Sequence, residues 1–244
     1  MGCGRSKTLE DQKPNSNEAK PQKTETKEVK NENVKHEIHK EVQHTAKDHP
    51  EKCVKPVIIF VLGGPGSGKG TQCTNLVSHG FTHLSTGDLI RAEIENNGPQ
   101  AETLRDLSSK GILCPSDIIV KLVKSRLDFN SNKKYLIDGF PRSEENVNVW
   151  ESIIGDTVQI GTLLYFECSS EVMKQRLLKR AETSGRKDDV EDVILDRIKT
   201  YETQTFPIIE RYQKINMVIK VDCDKGVDEV YEATKNELNK KGLI

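Results

Sequence analysis

The chain has no apolar run near the roughly 20 residues needed to cross a membrane as a helix, which excludes a spanning role of that kind. Aromatic residues make up only 5% of it, with a single Trp. Six cysteines (Cys3, Cys53, Cys73, Cys114, Cys168, Cys223) are scattered, and none forms a CxxC pair. That spacing argues against a zinc knuckle or a dithiol redox motif and fits reduced thiols in a cytoplasmic compartment. The net charge is -1, so the chain has no overall excess of positive charge and nucleic acid is not an expected partner. No internal repeat is visible.

Residues 1–52 lack any apolar cluster and are dense in Lys, Glu, Asn, Gln and Thr. A segment of this kind buries too little surface to offset its chain entropy, so a disordered tail is expected there. Its Lys and Glu alternate, which makes it a polyampholyte. Val34, Ile38 and Val42 stand at helical spacing and predict one transient helix at most. His36 and His39 could serve a metal, but a solvated, charge-rich linker explains them more simply. The chain opens Met1-Gly2-Cys3-Gly4-Arg5-Ser6, which fits the signal for myristoylation on Gly2 after removal of Met1. One acyl chain binds a membrane only marginally, and Cys3 is placed to supply a second by palmitoylation. The expectation is a cytoplasmic protein tethered at a membrane periphery through Gly2 and Cys3.

From about residue 53 to 244 the pattern changes to apolar strands alternating with amphipathic helices. Val57-Ile58-Ile59-Phe60-Val61-Leu62 is a β-branched run of the kind buried on both faces of a parallel sheet. It leads directly into Gly63-Gly64-Pro65-Gly66-Ser67-Gly68-Lys69-Gly70-Thr71, which matches G-x-x-x-x-G-K with the hydroxyl residue one place late. Glycines let polyphosphate approach backbone N–H groups, and a helix starting near Lys69 points its positive end at the ligand. Gly66, Ser67, Gly68, Lys69, Gly70 and Thr71 are therefore the candidate ATP-binding loop. Lys69 supplies a point charge to the β- and γ-phosphates. A plain glycine-rich turn would not need a lysine in this register.

The segments GGPGSGKGTQ (63–72), HLSTGDLIRAE (83–93), KGILCP (110–115), YLIDGFPR (135–142), LLKRAETSGRKDD (177–189) and RIKTYETQTFPII (197–209) stand in the order of the adenylate kinase and UMP-CMP kinase family. The chain resembles that family over nearly all of 55–244. The resemblance implies an enzyme that moves the γ-phosphoryl group of ATP to a nucleoside monophosphate, with Mg²⁺ as cofactor and a monomer as the working unit. It implies an α/β, P-loop, three-layer fold with a parallel five-stranded sheet. Strands are expected near 57–62, 82–84, 135–138, 162–166 and 217–222, and helices around 116–127 and 143–154. A helical acceptor-binding region is expected at about 86–115 and a short lid at about 181–189.

By the same resemblance the acceptor nucleotide is held by Thr86, Arg91, Ile112, Leu113, Cys114, Gly139, Phe140, Pro141, Arg142 and Asn146. Arg180, Arg186 and Arg197 surround the transferring phosphoryl group, and Arg142 clamps the acceptor phosphate. Guanidinium groups suit that task because they are planar and permanently charged. Asp138, with Asp88, is placed to orient Mg²⁺ or its waters, while Asp188 and Asp189 could steady the arginine loop. Backbone near Lys225 is the candidate for the ATP adenine. Only five residues separate Arg180 from Arg186, so the large, zinc-carrying lid of longer relatives is not expected.

Acceptor identity is mixed. Asn146, where AMP-specific members carry Gln, and Trp150, Pro207-Ile208-Ile209 and Val227-Asp228-Glu229-Val230 lean towards UMP and CMP. Thr86, Ser143 and the stretch RAETSGR lean towards AMP. A membrane-bound scaffold on the same fold would be expected to have lost Lys69 or the arginines. A GTPase switch would need an NKxD-type segment, which is missing.

Overall fold

The computed structural model describes residues 55–184 and 190–244, so the tail with Gly2 and Cys3, and Arg186, Asp188 and Asp189, lie outside the described residues. Five strands, β1 (Val57–Gly63), β2 (Phe81–Ser85), β3 (Lys134–Asp138), β4 (Gln159–Glu167) and β5 (Val218–Asp222), form one sheet in the order β2-β3-β1-β4-β5. All four pairings are parallel. The expected five-stranded parallel sheet is therefore present. β4 begins three residues earlier than its apolar run suggests. Gln159 pairs with Val57 although it is exposed, because the backbone ladder continues past the buried stretch.

The α-helices that join the strands and follow the last of them are α1 (Lys69–Leu76), α2 (Thr86–Glu95), α3 (Ala101–Ser109), α4 (Ser116–Lys124), α5 (Glu144–Ile153), α6 (Ser170–Ser184), α7 (Glu191–Thr200), α8 (Phe206–Lys214) and α9 (Val227–Lys240). A π-helical turn, Tyr201–Thr205, joins α7 to α8. α2 and α3 occupy the expected acceptor region, and α4 and α5 the predicted helical stretches.

Strand alternation builds two cores. Ile58, Phe60 and Leu62 of β1 point to one face, where α4, α5 and α8 cover them with Val120, Val123, Trp150, Ile208 and Ile209. Ile59 and Val61 point to the other, under Cys73 and Leu76 of α1 and Val230 and Leu238 of α9. β1 is thus dry on both faces, which is why its sequence has no polar alternation. Phe60 sits edge-on to Trp150 with ring centroids 5.2 Å apart, and Phe140 lies 5.3 Å from Trp150. This aromatic packing anchors the turn after β3 to the sheet centre. The carboxyl ends of β1 and β3 are aligned, Val61 opposite Asp138, so their following loops lie side by side.

Candidate active site

β1 ends in Gly63, and the chain then wraps a loop that closes on Gly68, the N-cap of α1. Gly66 has φ +82°, and a Cβ there would stand 2.8 Å from the backbone oxygen of Met173 in α6. The loop therefore takes glycine at this position for both conformation and space. Ser67 is buried, and Gly70 and Thr71 are exposed on the first turn of α1. The first N–H groups of α1 have no partners earlier in the helix, and its positive end suits an anion. Lys69 Nζ donates to the carbonyls of Gly63 and Gly64, at 2.8 Å each, and to Ser67 Oγ at 3.4 Å. The lysine is thereby folded over the loop it charges.

Asp138 ends β3, nearly buried, on the strand beside the loop. Gly139 follows with φ +78°, where a Cβ would meet Arg142 Nη2 at 2.5 Å. Glycine here lets the guanidinium fold back, and Arg142 Nε donates to Gly139 O at 2.6 Å. The Phe140–Pro141 peptide is cis. Two further bonds fix the backbone of Arg142. Its N–H donates to Asn146 Oδ1 at 2.9 Å, and its carbonyl accepts from Thr205 Oγ1 at 3.1 Å. The π-helical turn thus reaches the site through Thr205, a contact that no sequence motif announces.

The cations converge. Burial holds the Arg142 guanidinium below its usual range, and the nearby charges of Arg197 and Arg91 push the same way against the opposing pull of Asp138. Lys69 is lowered to about 8, first by loss of solvent and then by Arg142 and Arg197, with Asp138 opposing. Like charges gathered beside the loop that opens α1, only partly offset by Asp138, favour a bound polyanion. Gly111, at φ +67°, lies against Arg197, whose Cγ would be 3.2 Å from a Cβ there. Cys114, in the same loop, is close enough for Arg142 to oppose the upward shift of its thiol. The 111–114 loop, Arg142 and Arg197 therefore border one space.

Several expected contact residues are tied up within the protein. Thr86 is buried, and its hydroxyl donates to the carbonyls of Asp138 (2.9 Å) and Gly139 (3.2 Å), so it locks the start of α2 to the end of β3. The Asn146 amide is also buried, accepting from Arg142 N–H and donating through Nδ2 to Ser116 Oγ at 2.7 Å. It braces Arg142 and the start of α4. Asp88 ion-pairs with Arg91 one turn along α2, with Asp88 largely in solvent. Ile112 is exposed, and its N–H donates to Leu107 O at 3.1 Å, while Leu113 is half-buried. Arg180 is half-buried near the end of α6. The carbonyl of Lys225 accepts from Arg176 Nη2 at 3.2 Å, which fixes the turn between β5 and α9.

The pH dependence of this site has a definite sign. Below about pH 8 Lys69 is an ammonium ion able to meet an anion, and above it the free protein loses that charge. Bound polyphosphate pulls the pKa up again. We therefore expect affinity for a polyphosphate to fall towards tenfold per pH unit above about 8. Since the folded-state value lies below the unfolded one, this lysine opposes folding most below pH 8, and that opposition fades as pH rises towards 10.5. Binding of inorganic triphosphate measured from about pH 6 to about pH 10 would check it.

A parallel α/β sheet with a phosphate loop after its central strand, faced by arginines from the neighbouring loop and from α7, defines a P-loop phosphotransferase. A family model described as adenylate kinase matches residues 61–217. The chain is 42% identical over 196 residues to UMP-CMP kinase of Gallus gallus, covering 78% of this chain and all of that one. It is 44% identical over 182 residues to UMP-CMP kinase 3 of Oryza sativa subsp. japonica, covering 74% of this chain and 85% of the relative. It is 41% identical over 196 residues to adenylate kinase 1 of Schistosoma mansoni, covering 79% and 98%. The chain belongs to the adenylate kinase and UMP-CMP kinase family. It is accordingly a nucleoside monophosphate kinase.

Proposed function

We propose that this chain transfers the γ-phosphoryl group of ATP to UMP or CMP. The observation that carries the reaction is the convergence of Lys69, Arg142, Arg197 and Arg91 around a site with Asp138 as the opposing carboxylate. In this reading the 66–71 loop and the start of α1 hold the ATP phosphates, with Lys69 on the β- and γ-oxygens. Arg91 and Arg142 hold the acceptor phosphate, bordered by Gly139, Phe140, Pro141 and the 112–114 loop. Arg197, with Arg180 and Arg186, balances the charge that spreads over the equatorial oxygens during transfer. No general base is required, because the acceptor phosphate is already ionised. The protein's contribution is positioning and charge stabilisation.

Asp138 fits a hard dication as a carboxylate at a strand end beside the phosphate loop, its Oδ2 within 3.7 Å of where a Cβ on Gly70 would lie. Asp138 would hold Mg²⁺ beside the loop, and the charge of the ion would offset part of the negative charge of the phosphates. Asp138 would orient it through water. Asp88, engaged with Arg91, would serve the arginine rather than the metal. The adenine of ATP would rest near Lys225, whose turn Arg176 holds.

UMP and CMP are favoured over AMP because relatives at 39–44% identity carry the name UMP-CMP kinase. AMP is the second reading, favoured by the Schistosoma relative named adenylate kinase 1 and by Thr86. Asn146 supports specificity by fixing Arg142 and Ser116, with one amide hydrogen left for a base. Initial rates with UMP, CMP and AMP, for wild type and Asn146→Gln, test this. The longer side chain cannot keep both short bonds, so we expect the variant's kcat/KM for UMP to fall about 10- to 100-fold. An AMP preference in the wild type would overturn the pyrimidine reading.

Where Met1 is the initiating residue, Gly2 and Cys3 carry acyl chains that tether a monomeric kinase domain to a membrane. Gly2→Ala would then move the protein from the membrane fraction of cells to the soluble one. Equal membrane binding by both would refute the tether.

A further inference from the structure

Three side chains behind the phosphate loop have no part in the transfer just described as a group, yet they form a ligand set. His83 of β2 and Asp138 of β3 fall on the same face of the sheet, since Phe81, His83 and Ser85 register with Lys134, Leu136 and Asp138. That face is the one covered by α1, and Cys73 of α1 is fully buried against it. One ligand atom from each of Cys73, His83 and Asp138 lies within 4.8 Å of the others. His83 Nε2 is buried and makes no hydrogen bond. It stands 3.5 Å from Asp138 Oδ2. A buried imidazole nitrogen with a carboxylate nearby but no hydrogen bond needs an explanation, since leaving it so disfavours the fold.

We propose that Cys73, His83 and Asp138 form a binding site for a transition-metal dication of the zinc class, and that its occupancy withdraws Asp138 from phosphoryl transfer. The second half rests on the role of Asp138 proposed above. Sulfur, imidazole nitrogen and carboxylate oxygen together select zinc or cobalt over magnesium, which prefers oxygen alone. Bond lengths of about 2.0–2.3 Å at tetrahedral angles place ligand atoms about 3.3–3.6 Å apart. The His83–Asp138 separation of 3.5 Å already meets this. The thiol has to close by at most about 1.5 Å, within the reach of a side-chain torsion. Binding breaks the S–H bond of Cys73 and releases its proton to solvent, while neutral imidazole and carboxylate coordinate as they are. Three protein ligands leave a fourth position for water. Cys73 is four residues from Lys69 on the same helix, so a metal here ties the loop's lysine-bearing turn and the magnesium carboxylate to one centre.

The test uses the full chain, reduced, in Mg²⁺-containing buffer, titrated with Co²⁺. A thiolate-to-cobalt charge-transfer band should rise and saturate at one metal per chain, and Zn²⁺ should erase it. Cys73→Ala should remove the band, and His83→Gln should weaken cobalt binding at least about tenfold. Both variants should keep the Mg²⁺-dependent rate and resist zinc inhibition at least about tenfold better than wild type. Cys73→Ser offers a second check should the alanine variant fold poorly. No band in the wild type, a band that survives in Cys73→Ala, or equal zinc inhibition of all three proteins would overturn the proposal. The spectrum reads the metal whether or not phosphate is transferred. An inactive chain that still binds cobalt through Cys73 would therefore defeat the kinase reading and spare the ligand set.

Discussion

Arg142→Ala should lower kcat by about 10²- to 10³-fold, the usual effect of removing one charge-stabilising donor from a transition state. Arg142→Lys should recover only part of this, since an ammonium ion lacks the planar fork with which a guanidinium meets two phosphate oxygens in parallel. The fold should survive. The bonds from Arg142 N–H to Asn146 and from its carbonyl to Thr205 belong to the backbone and persist in the variant. Moreover, the guanidinium is crowded by the charges of Arg197 and Arg91. Its removal relieves that repulsion but also gives up the attraction of Asp138 and the Nε bond to Gly139 O, so Tm should change little while turnover collapses. That pair of results separates a catalytic arginine from a structural one. A parallel fall in Tm and kcat would place Arg142 in the scaffold instead. Thermal melts and steady-state kinetics on the three proteins decide it.

Gly66→Val should damage the ATP side. The new side chain must adopt φ +82° and set a Cβ 2.8 Å from Met173 O and 3.1 Å from Leu177 Cγ. Neither the left-handed backbone nor a helix carbonyl yields easily, and about 2 kcal/mol of stability should be lost. For a domain of this size that is a fall in Tm of about 4–8 °C. The loop and α6 must part, and α6 carries Arg180 near its end. We expect KM for ATP to rise about tenfold or more, with KM for the acceptor little changed. Calorimetry and kinetics at saturating acceptor would show both effects.

The parts most legible in the sequence were those where one chemical need dictates several neighbouring residues. The phosphate loop is the clearest case. A strand dry on both faces, glycines where the chain must turn left and a lysine at the helix start are all local requirements, and β1, the loop and α1 stand where those residues put them. The order of the strands is a long-range property, and it was available only through resemblance.

Other roles were hidden because they depend on what a side chain meets across the fold. Asn146 reads as a base-contacting amide from its position after Arg142, yet in the structure its oxygen holds the Arg142 backbone and its nitrogen holds Ser116. A local signal existed, since Ser143 caps α5 by accepting from Asn146 N–H, a pattern of residues three apart. Thr86 reads as a ligand contact, and the structure adds that its hydroxyl clasps α2 to β3. Thr205 had no signal, because its partner is 63 residues away and the turn that carries it is π-helical. The Cys73–His83–Asp138 group was hidden in a similar way. Alternation along β2 and β3 sets the shared face, but the meeting with α1 is a matter of packing.

The central claim is that this chain passes a phosphoryl group directly from ATP to a nucleoside monophosphate. Phosphorus NMR of purified protein with ATP, Mg²⁺ and UMP tests it most directly. The account predicts ADP and UDP appearing in equal amounts, with no inorganic phosphate, and no turnover when UMP is left out. Inorganic phosphate formed in place of UDP, or ATP left unchanged in the complete mixture, would contradict it.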